Sequence, residues 1–258
     1  MTPKTILRDI IDGQHDLAHI PMFKALVSNR NSCCEIILEE IAMRGGIYDY
    51  LCYYPNKEFY PIVIDLGANI GLFSAFMAPM SETIYAVEPT PAHCEAMRDI
   101  HDSIGLTNVK INQLAISDEN GPVEFNFNSS NTTMNSLAHR PHWEPVTEQL
   151  VTVEAKTLLS FIESNIPPDK NIDFLKMDIE GAEEQVIFHP EFKAALDRID
   201  EIFIEVHVPL AELKKLEFQG HDFSEIIRPR VDRIAEKLHS LGLVRLRRIG
   251  TDGVLASR

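Results

Sequence analysis

Basic side chains are scarce in this chain: 24 Lys and Arg stand against 39 Asp and Glu in 258 residues, a formal charge of −15. A surface this negative repels phosphate and has no basic stripe, which excludes a non-specific nucleic-acid binder. A polybasic membrane anchor is excluded on the same ground. Cysteine is sparse as well. Cys33, Cys34, Cys52 and Cys94 form no C-x-x-C pair, so a zinc ribbon or a redox dithiol has no framework. Adjacent Cys33 and Cys34 read as small buried apolar residues. Long apolar runs are also missing. Met1 to Ile20 carries Asp9, Asp12, His15 and Asp16 where a secretory signal needs an apolar core. The most apolar window, Pro61 to Met80, contains Asp65 and Asn69, and a membrane span there would bury a carboxylate. These absences lead to the expectation of a soluble protein of a reducing compartment, the cytoplasm, with no membrane and no nucleic-acid partner.

What is present is ordinary globular composition, 45% apolar and 24% charged, in a length that one sheet-based core can fill. Residues 1–60 read as a helical extension, with an amphipathic segment from Glu35 to Met43 that stops at Gly45-Gly46. From residue 61 to 258 the pattern is that of one α/β domain. Short apolar runs at Ile62–Leu66, Thr83–Val87, Val109–Ile116, Phe174–Ile179 and Ile202–Val208 are strands. Helical segments at Leu72–Met80, Ala92–Ile104, Leu158–Asn165, Ala182–Leu196 and Ile226–Leu241 separate most of them, which means a parallel sheet. Val123–Phe127 and Val151–Val153 form a hairpin excursion around a long polar loop. Leu243–Arg248 and Val254–Ala256 close the chain as a second hairpin.

The first strand runs into Asp65-Leu66-Gly67-Ala68-Asn69-Ile70-Gly71, at the place where open α/β sheets bind ligands. Gly67 permits the tight turn, and Gly71 lets the helix pack on the strand. A dinucleotide fingerprint needs a glycine where Asn69 stands, because pyrophosphate presses on the backbone there. The D-x-G-x-x-x-G form suits a ligand without phosphates, such as S-adenosylmethionine. Glu88 ends the second strand 23 positions after Asp65, where an acidic residue can hold both ribose hydroxyls.

The later strands carry polar groups where a buried strand should have none. By two-residue alternation Phe174, Lys176, Asp178 and Glu180 share one face, and Glu201, Phe203, Glu205 and His207 share one face of the next strand. If the two strands are parallel neighbours, Glu205 and His207 emerge at the same sheet end as Asp178. Lys176 should meet a carboxylate, with Glu205 in view, in an ion pair that pins register.

Together, Asp65-Leu66-Gly67-Ala68-Asn69-Ile70-Gly71, Val87-Glu88-Pro89, the block Phe174 to Glu183 and Glu205-Val206-His207 resemble the FkbM-type methyltransferases. The resemblance covers about residues 60–210 and rests chiefly on the K-x-D-x-E-G-x-E block. It implies a Rossmann-like class I methyltransferase fold: a mostly parallel seven-stranded sheet with an antiparallel last strand and helices on both faces. It also implies S-adenosylmethionine as cofactor and O-methylation of a sugar or small natural product. By the same resemblance Asp65, Gly67, Ala68, Asn69 and Gly71 hold the methionine half and Glu88 the ribose. Ala115 and Ile116 lie by the adenine, with Ser117 or Asp118 near its amino group, and Asp178 borders the methyl-donor pocket.

Such chemistry needs a group to take the proton of an alcohol. His207 is the first choice, since an imidazole titrates near the working pH. Glu205 orients it or serves instead, and Asp178 positions the acceptor or a cation. Asp178, Glu180, Glu183, Glu205 and His207 could also ligate magnesium, but no fixed metal spacing requires it, and no metal is expected. His139, His142 and Trp143 in the long loop are candidate covers for the acceptor. Rival readings are a nicotinamide-dependent oxidoreductase, which Asn69 disfavours, and a non-catalytic cofactor-binding scaffold.

Overall fold

A computed structural model describes residues 57, 59–128, 136–137, 148–208, 212, 216 and 221–258. Apart from Lys57, Phe59 and Tyr60, the expected extension lies outside these residues, with Cys33, Cys34 and Cys52. His139, His142 and Trp143 lie outside them too. The chain divides into two compact units, Met1–Gln113 and Leu114–Arg258.

In the first unit β1 (Tyr60–Leu66), β2 (Ser81–Val87) and β3 (Val109–Asn112) pair in parallel, β2 in the middle. Val63, Ile64, Leu66, Ile84, Ala86 and Val87 are each at most 1% exposed, so the two longer strands are covered on both faces, as a parallel sheet requires. Between them run α1 (Leu72–Met77), a short 3₁₀ turn at Ala78–Met80, and α2 (Pro91–Ser103). Helix α2 begins on extended Thr90 with Pro91 in the first turn, where its missing N–H leaves nothing unsatisfied. Its inner face repeats at helical spacing: His93, Met97, Ile100 and His101 are buried. Met97 packs with Ala68 and Ala86. Truncating it to alanine would cost about 2–5 kcal/mol.

The second unit corrects two expectations. The third strand does not run from Val109 to Ile116. It stops at Asn112, whose side-chain amide donates to the carbonyls of Ala86 and Lys110. After it, β4 (Ala115–Ile116), β5 (Gly121–Asn128), β6 (Ser136–Leu137) and β7 (Glu148–Lys156) form a separate four-stranded sheet in the order β4-β7-β5-β6. The hairpin excursion is therefore a small sheet, held by antiparallel β5 and β7. Next come α3 (Leu158–Asn165), capped by the Thr157 side chain accepting from the Ser160 N–H, and β8 (Phe174–Met177). The single helix expected over Ala182–Leu196 is two, α4 (Glu183–Phe188) and α5 (Phe192–Leu196). Pro190 explains the break: His189 before it is extended, at φ −62° and ψ 140°.

Strand β9 (Glu201–Glu205), helix α6 (Phe223–Ser240), β10 (Arg245–Ile249) and β11 (Gly253–Ser257) complete the chain. Strands β8 and β9 are parallel, while β11 is antiparallel to both β9 and β10. The strand order of the seven-stranded sheet is β10-β11-β9-β8-β1-β2-β3. The last strand in sequence is thus the antiparallel one, as expected. Arg230 bridges Glu184 and Glu212, and Arg233 lies over the Phe188 ring at 4.3 Å, so α6 is tied to α4 by charge and by cation–π contact. No helix among the described residues is long and apolar enough to cross a membrane.

Candidate active site

The turn after β1 is built from backbone. Gly67, Asn69 and Gly71 all have positive φ, at 73°, 50° and 79°. Asparagine is one of the few side-chain-bearing residues that tolerate this region. The N–H groups of Gly67 and Ala68 both donate to the Val87 carbonyl at 3.0 Å, which draws the turn over the end of β2. Gly71 is required for a second reason: a Cβ there would collide with Met97 and the His101 ring. The neighbouring His101 Nε2 meets the Gly71 carbonyl at 3.1 Å. Burial lowers the His101 pKa, although the Gly71 carbonyl and nearby carboxylates pull the other way. A neutral imidazole donating Nε2–H fits this arrangement.

Glu88 is 5% exposed and nearly encircled by donors. Its Oε2 accepts from the Asn69 N–H at 3.0 Å. Its Oε1 accepts from the Thr90 N–H at 2.9 Å and lies 3.2 Å from His93 Nδ1. Burial works against its charge, but the His93 and Thr90 contacts outweigh it and hold the pKa below the usual carboxylate value. Asp65 is fully buried and accepts from the Ser74 hydroxyl at 2.7 Å. The Asn69 Oδ1 is buried with no hydrogen-bond partner among the described residues, an acceptor that a ligand's donor could fill. Cys94 beside this site is buried, and desolvation with the Glu88 charge pushes its thiol up to about 12, so it is chemically inert.

The second constellation is built from side chains. Register between β8 and β9 pairs Met177 with Ile204, so Asp178 follows beside Glu205. His207 lies two residues past the end of β9, so alternation within a strand does not position it. Its own N–H reaches Glu183 Oε2 at 3.4 Å, and its Nδ1 lies 3.0 Å from Glu183 Oε1. Glu183 is 1% exposed and also accepts from the N–H groups of Ile179 and Gly181, at 3.1 Å each. One buried carboxylate therefore closes the turn after β8, in which Glu180 and Gly181 have positive φ of 53° and 101°, and also fixes the imidazole. Sequence reasoning gave Glu183 as a possible magnesium ligand and missed this role.

The imidazole's other nitrogen faces an acidic ring. His207 Nε2 lies 3.7 Å from Asp178 and 3.9 Å from both Glu180 and Glu205. Lys176, 4% exposed, meets Asp178 at 3.0 Å, so the buried lysine does find a carboxylate. Burial would lower the His207 pKa, yet Glu180, Glu183 and Asp178 together carry it well above its ordinary value of 6.5. Glu180 is pushed up to about 8, first by desolvation and then by Asp178, Glu183 and Glu205, with the His207 charge opposing. At neutral pH the ring is an imidazolium among acids. Asp178, Glu180 and His207 also offer one ligand atom each, all within 4.8 Å of one another, a spacing that a divalent ion could bridge.

The structure thus brings Asp178, Glu180, Glu183, Glu205 and His207 together in one unit, and Asp65, Gly67, Ala68, Asn69, Gly71 and Glu88 together in the other. Ala115 and Ile116 are buried in β4. His93 and His101 were not singled out from sequence, although their spacing of eight on an amphipathic helix beginning just after Glu88 was the signal available.

The model of the methyltransferase FkbM domain matches residues 65–242. Methyltransferase 1 of Beauveria bassiana (strain ARSEF 2860) is 27% identical over 157 residues, which cover 53% of this chain and 61% of that protein. Methyltransferase sdnD of Sordaria araneosa is 30% identical over 164 residues, 53% of this chain and 63% of that one. The chain spans less than two thirds of the length of these curated relatives. Among solved structures, precorrin-6y C5,15-methyltransferase from Geobacter metallireducens GS-15 is similar with a TM-score of 0.41 at 11% identity, covering 79% of this chain and 84% of that one.

Proposed function

The chain belongs to the FkbM methyltransferase family, and on that premise we propose that it transfers a methyl group from S-adenosylmethionine to a hydroxyl of a sugar or small natural product. The observation that carries this reading is the His207 imidazole, oriented by Glu183 on one nitrogen and facing Asp178, Glu180 and Glu205 with the other. When bound, S-adenosylmethionine supplies a methyl carbon made electrophilic by its sulfonium charge. The residues of the first unit fit that group. Anionic Glu88 suits the ribose hydroxyls, and the orphan Asn69 Oδ1 suits an amino or hydroxyl donor. Asp65, Gly67, Ala68 and Gly71 line the methionine half, Asp178 borders the methyl donor, and Ala115 and Ile116 lie by the adenine. A pyrophosphate would meet the Asn69 side chain and the Glu88 charge, which disfavours a nicotinamide cofactor.

The second unit supplies the proton acceptor. As the acceptor hydroxyl takes the methyl group that bound S-adenosylmethionine would supply, its proton would pass to the cluster. His207 is the principal base, with Glu205 and Asp178 holding the acceptor hydroxyl in line. Because the cluster binds its resting proton tightly, the basic form grows as pH rises above neutrality. Lys176 and the imidazolium already bring positive charge to the acids, so the reading needs no metal. Residues 1–60 form an extension outside the catalytic domain at 61–258, and the protein works in the cytoplasm on a small molecule. Calorimetry with S-adenosylmethionine tests the cofactor site: binding should be measurable and lost in Asp65→Ala and Glu88→Ala. Unchanged binding in both variants, or preferential binding of NADH, overturns the assignment.

A further inference from the structure

We infer that His93 is a positioning residue for the ribose-binding carboxylate of Glu88, a role that rests on the cofactor reading above. The geometry is specific. A carboxylate offers four lone-pair positions. On Glu88, Oε1 takes two contacts, from the Thr90 N–H at 2.9 Å and from His93 Nδ1 at 3.2 Å. Oε2 takes the Asn69 N–H at 3.0 Å, and the Thr90 side chain adds a hydrogen bond to the carboxylate. Of the two backbone donors, Thr90 lies next to the carboxylate's own strand end and moves with it, whereas Asn69 is held in the glycine turn after β1. His93 adds a contact from a side chain in the body of a helix, and it is 2% exposed, so it cannot swing away. Together with the Asn69 N–H on the other oxygen, it therefore fixes the rotation of the carboxylate plane and the aim of Oε2.

Two neighbours support the ring in that duty. Cys94 Sγ donates to the Glu88 carbonyl at 3.2 Å, and His101, two helical turns along the same inner face of α2, holds the Gly71 carbonyl. Helix α2 thus reaches the glycine turn through two buried imidazoles, His101 directly on the Gly71 carbonyl and His93 by way of the Glu88 carboxylate. His93 makes no contact of its own with the ribose in this account. It acts through Glu88, so its removal should affect only ligands that use the ribose hydroxyls.

That dependence supplies the test. S-adenosylhomocysteine and its analogue lacking both ribose hydroxyls are titrated calorimetrically into the wild type, His93→Leu and His93→Asn. Leucine fills the space without a donor, whereas the asparagine amide nitrogen stands where Nδ1 stood. His93→Leu should weaken S-adenosylhomocysteine by about tenfold or more, the size of a hydrogen bond to a charged group. The deoxygenated analogue should bind wild type and His93→Leu within about twofold, and His93→Asn should recover most of the loss. Should the leucine variant not fold, His93→Gln, whose amide is displaced by one bond, is expected to show the same selective loss in smaller degree. Equal weakening of both ligands, or of neither, overturns the role of His93. Failure of the wild type to bind S-adenosylhomocysteine overturns the cofactor reading beneath it.

Discussion

The glycine turn after β1 and the acidic cluster after β8 solve the same problem in opposite ways. Both present anionic groups at a strand end, and both use residues with positive φ. In the first, the charge of Glu88 is absorbed by one histidine, the Thr90 side chain and backbone N–H groups, and its pKa falls. In the second, four carboxylates crowd one imidazole, and the pKa values of Glu180 and His207 rise. On the proposed function, the contrast separates a site suited to hold a ligand by fixed dipoles from one suited to hold a proton poised to move. A satisfied carboxylate is a good hydrogen-bond acceptor and a poor base; a crowded one is the reverse.

Removing the support of each region should break it to a different degree. Glu183→Ala leaves the N–H groups of Ile179 and Gly181 and the imidazolium without their buried acceptor, and should cost about 3 kcal/mol or more. Chemical denaturation measures the loss, and turnover should vanish while cofactor binding persists in whatever fraction stays folded. Gly71→Ala should cost about 2 kcal/mol from the left-handed backbone and the collision with Met97 and His101. Its signature is the converse, lost cofactor binding, read by calorimetry.

The pH dependence of stability sharpens the contrast further. Glu180 has its pKa raised from 4.5 to about 8, so the folded state favours its protonated form. Its contribution is fully present below pH 4.5 and is lost as pH rises towards 8. The raised His207 acts in the same direction, favourable below 6.5 and lost as pH rises through its folded pKa. Melting temperature should therefore decline on the alkaline side, and Glu180→Gln should flatten that decline by removing one crowded acid. Glu88, with a lowered pKa, contributes in the opposite sense: its stabilisation is lost as pH falls through its folded value. The smallest expected effect is that of a chelator. Turnover measured with and without EDTA should agree, because Lys176 and His207 already oppose the acidic charge; a magnesium-dependent rate would transfer Asp178, Glu180 and His207 to the role of ligands.

The glycine turn was legible because its parts are adjacent in sequence: an apolar run, two glycines and a strand-ending glutamate. Asp178 and Glu205 were legible through two-residue alternation on parallel neighbours, which the Met177–Ile204 register bears out. His207 reached the right place for a different reason, since it lies past the strand and is held by Glu183. That grip depends on a turn conformation, at Glu180 and Gly181, that no spacing announces. The strand expected over Val109–Ile116 failed because its apolar pattern continues while its pairing partner changes from β2 to β7. The break at Pro190 was written in the chain, and the helical periodicity on either side concealed it. His93 carries no motif; only the fold of α2 against Glu88 gives it a task.

The most direct measurement follows the methyl group itself. The protein is incubated with S-adenosylmethionine labelled with carbon-13 in the methyl position and a library of hydroxylated sugars and natural products, from pH 6 to pH 9, and the products are read by NMR. The account predicts label on oxygen, at a rate that rises with pH and collapses in His207→Ala while cofactor binding is retained. Label on nitrogen or carbon, or transfer that is indifferent both to pH and to the loss of His207, would contradict it.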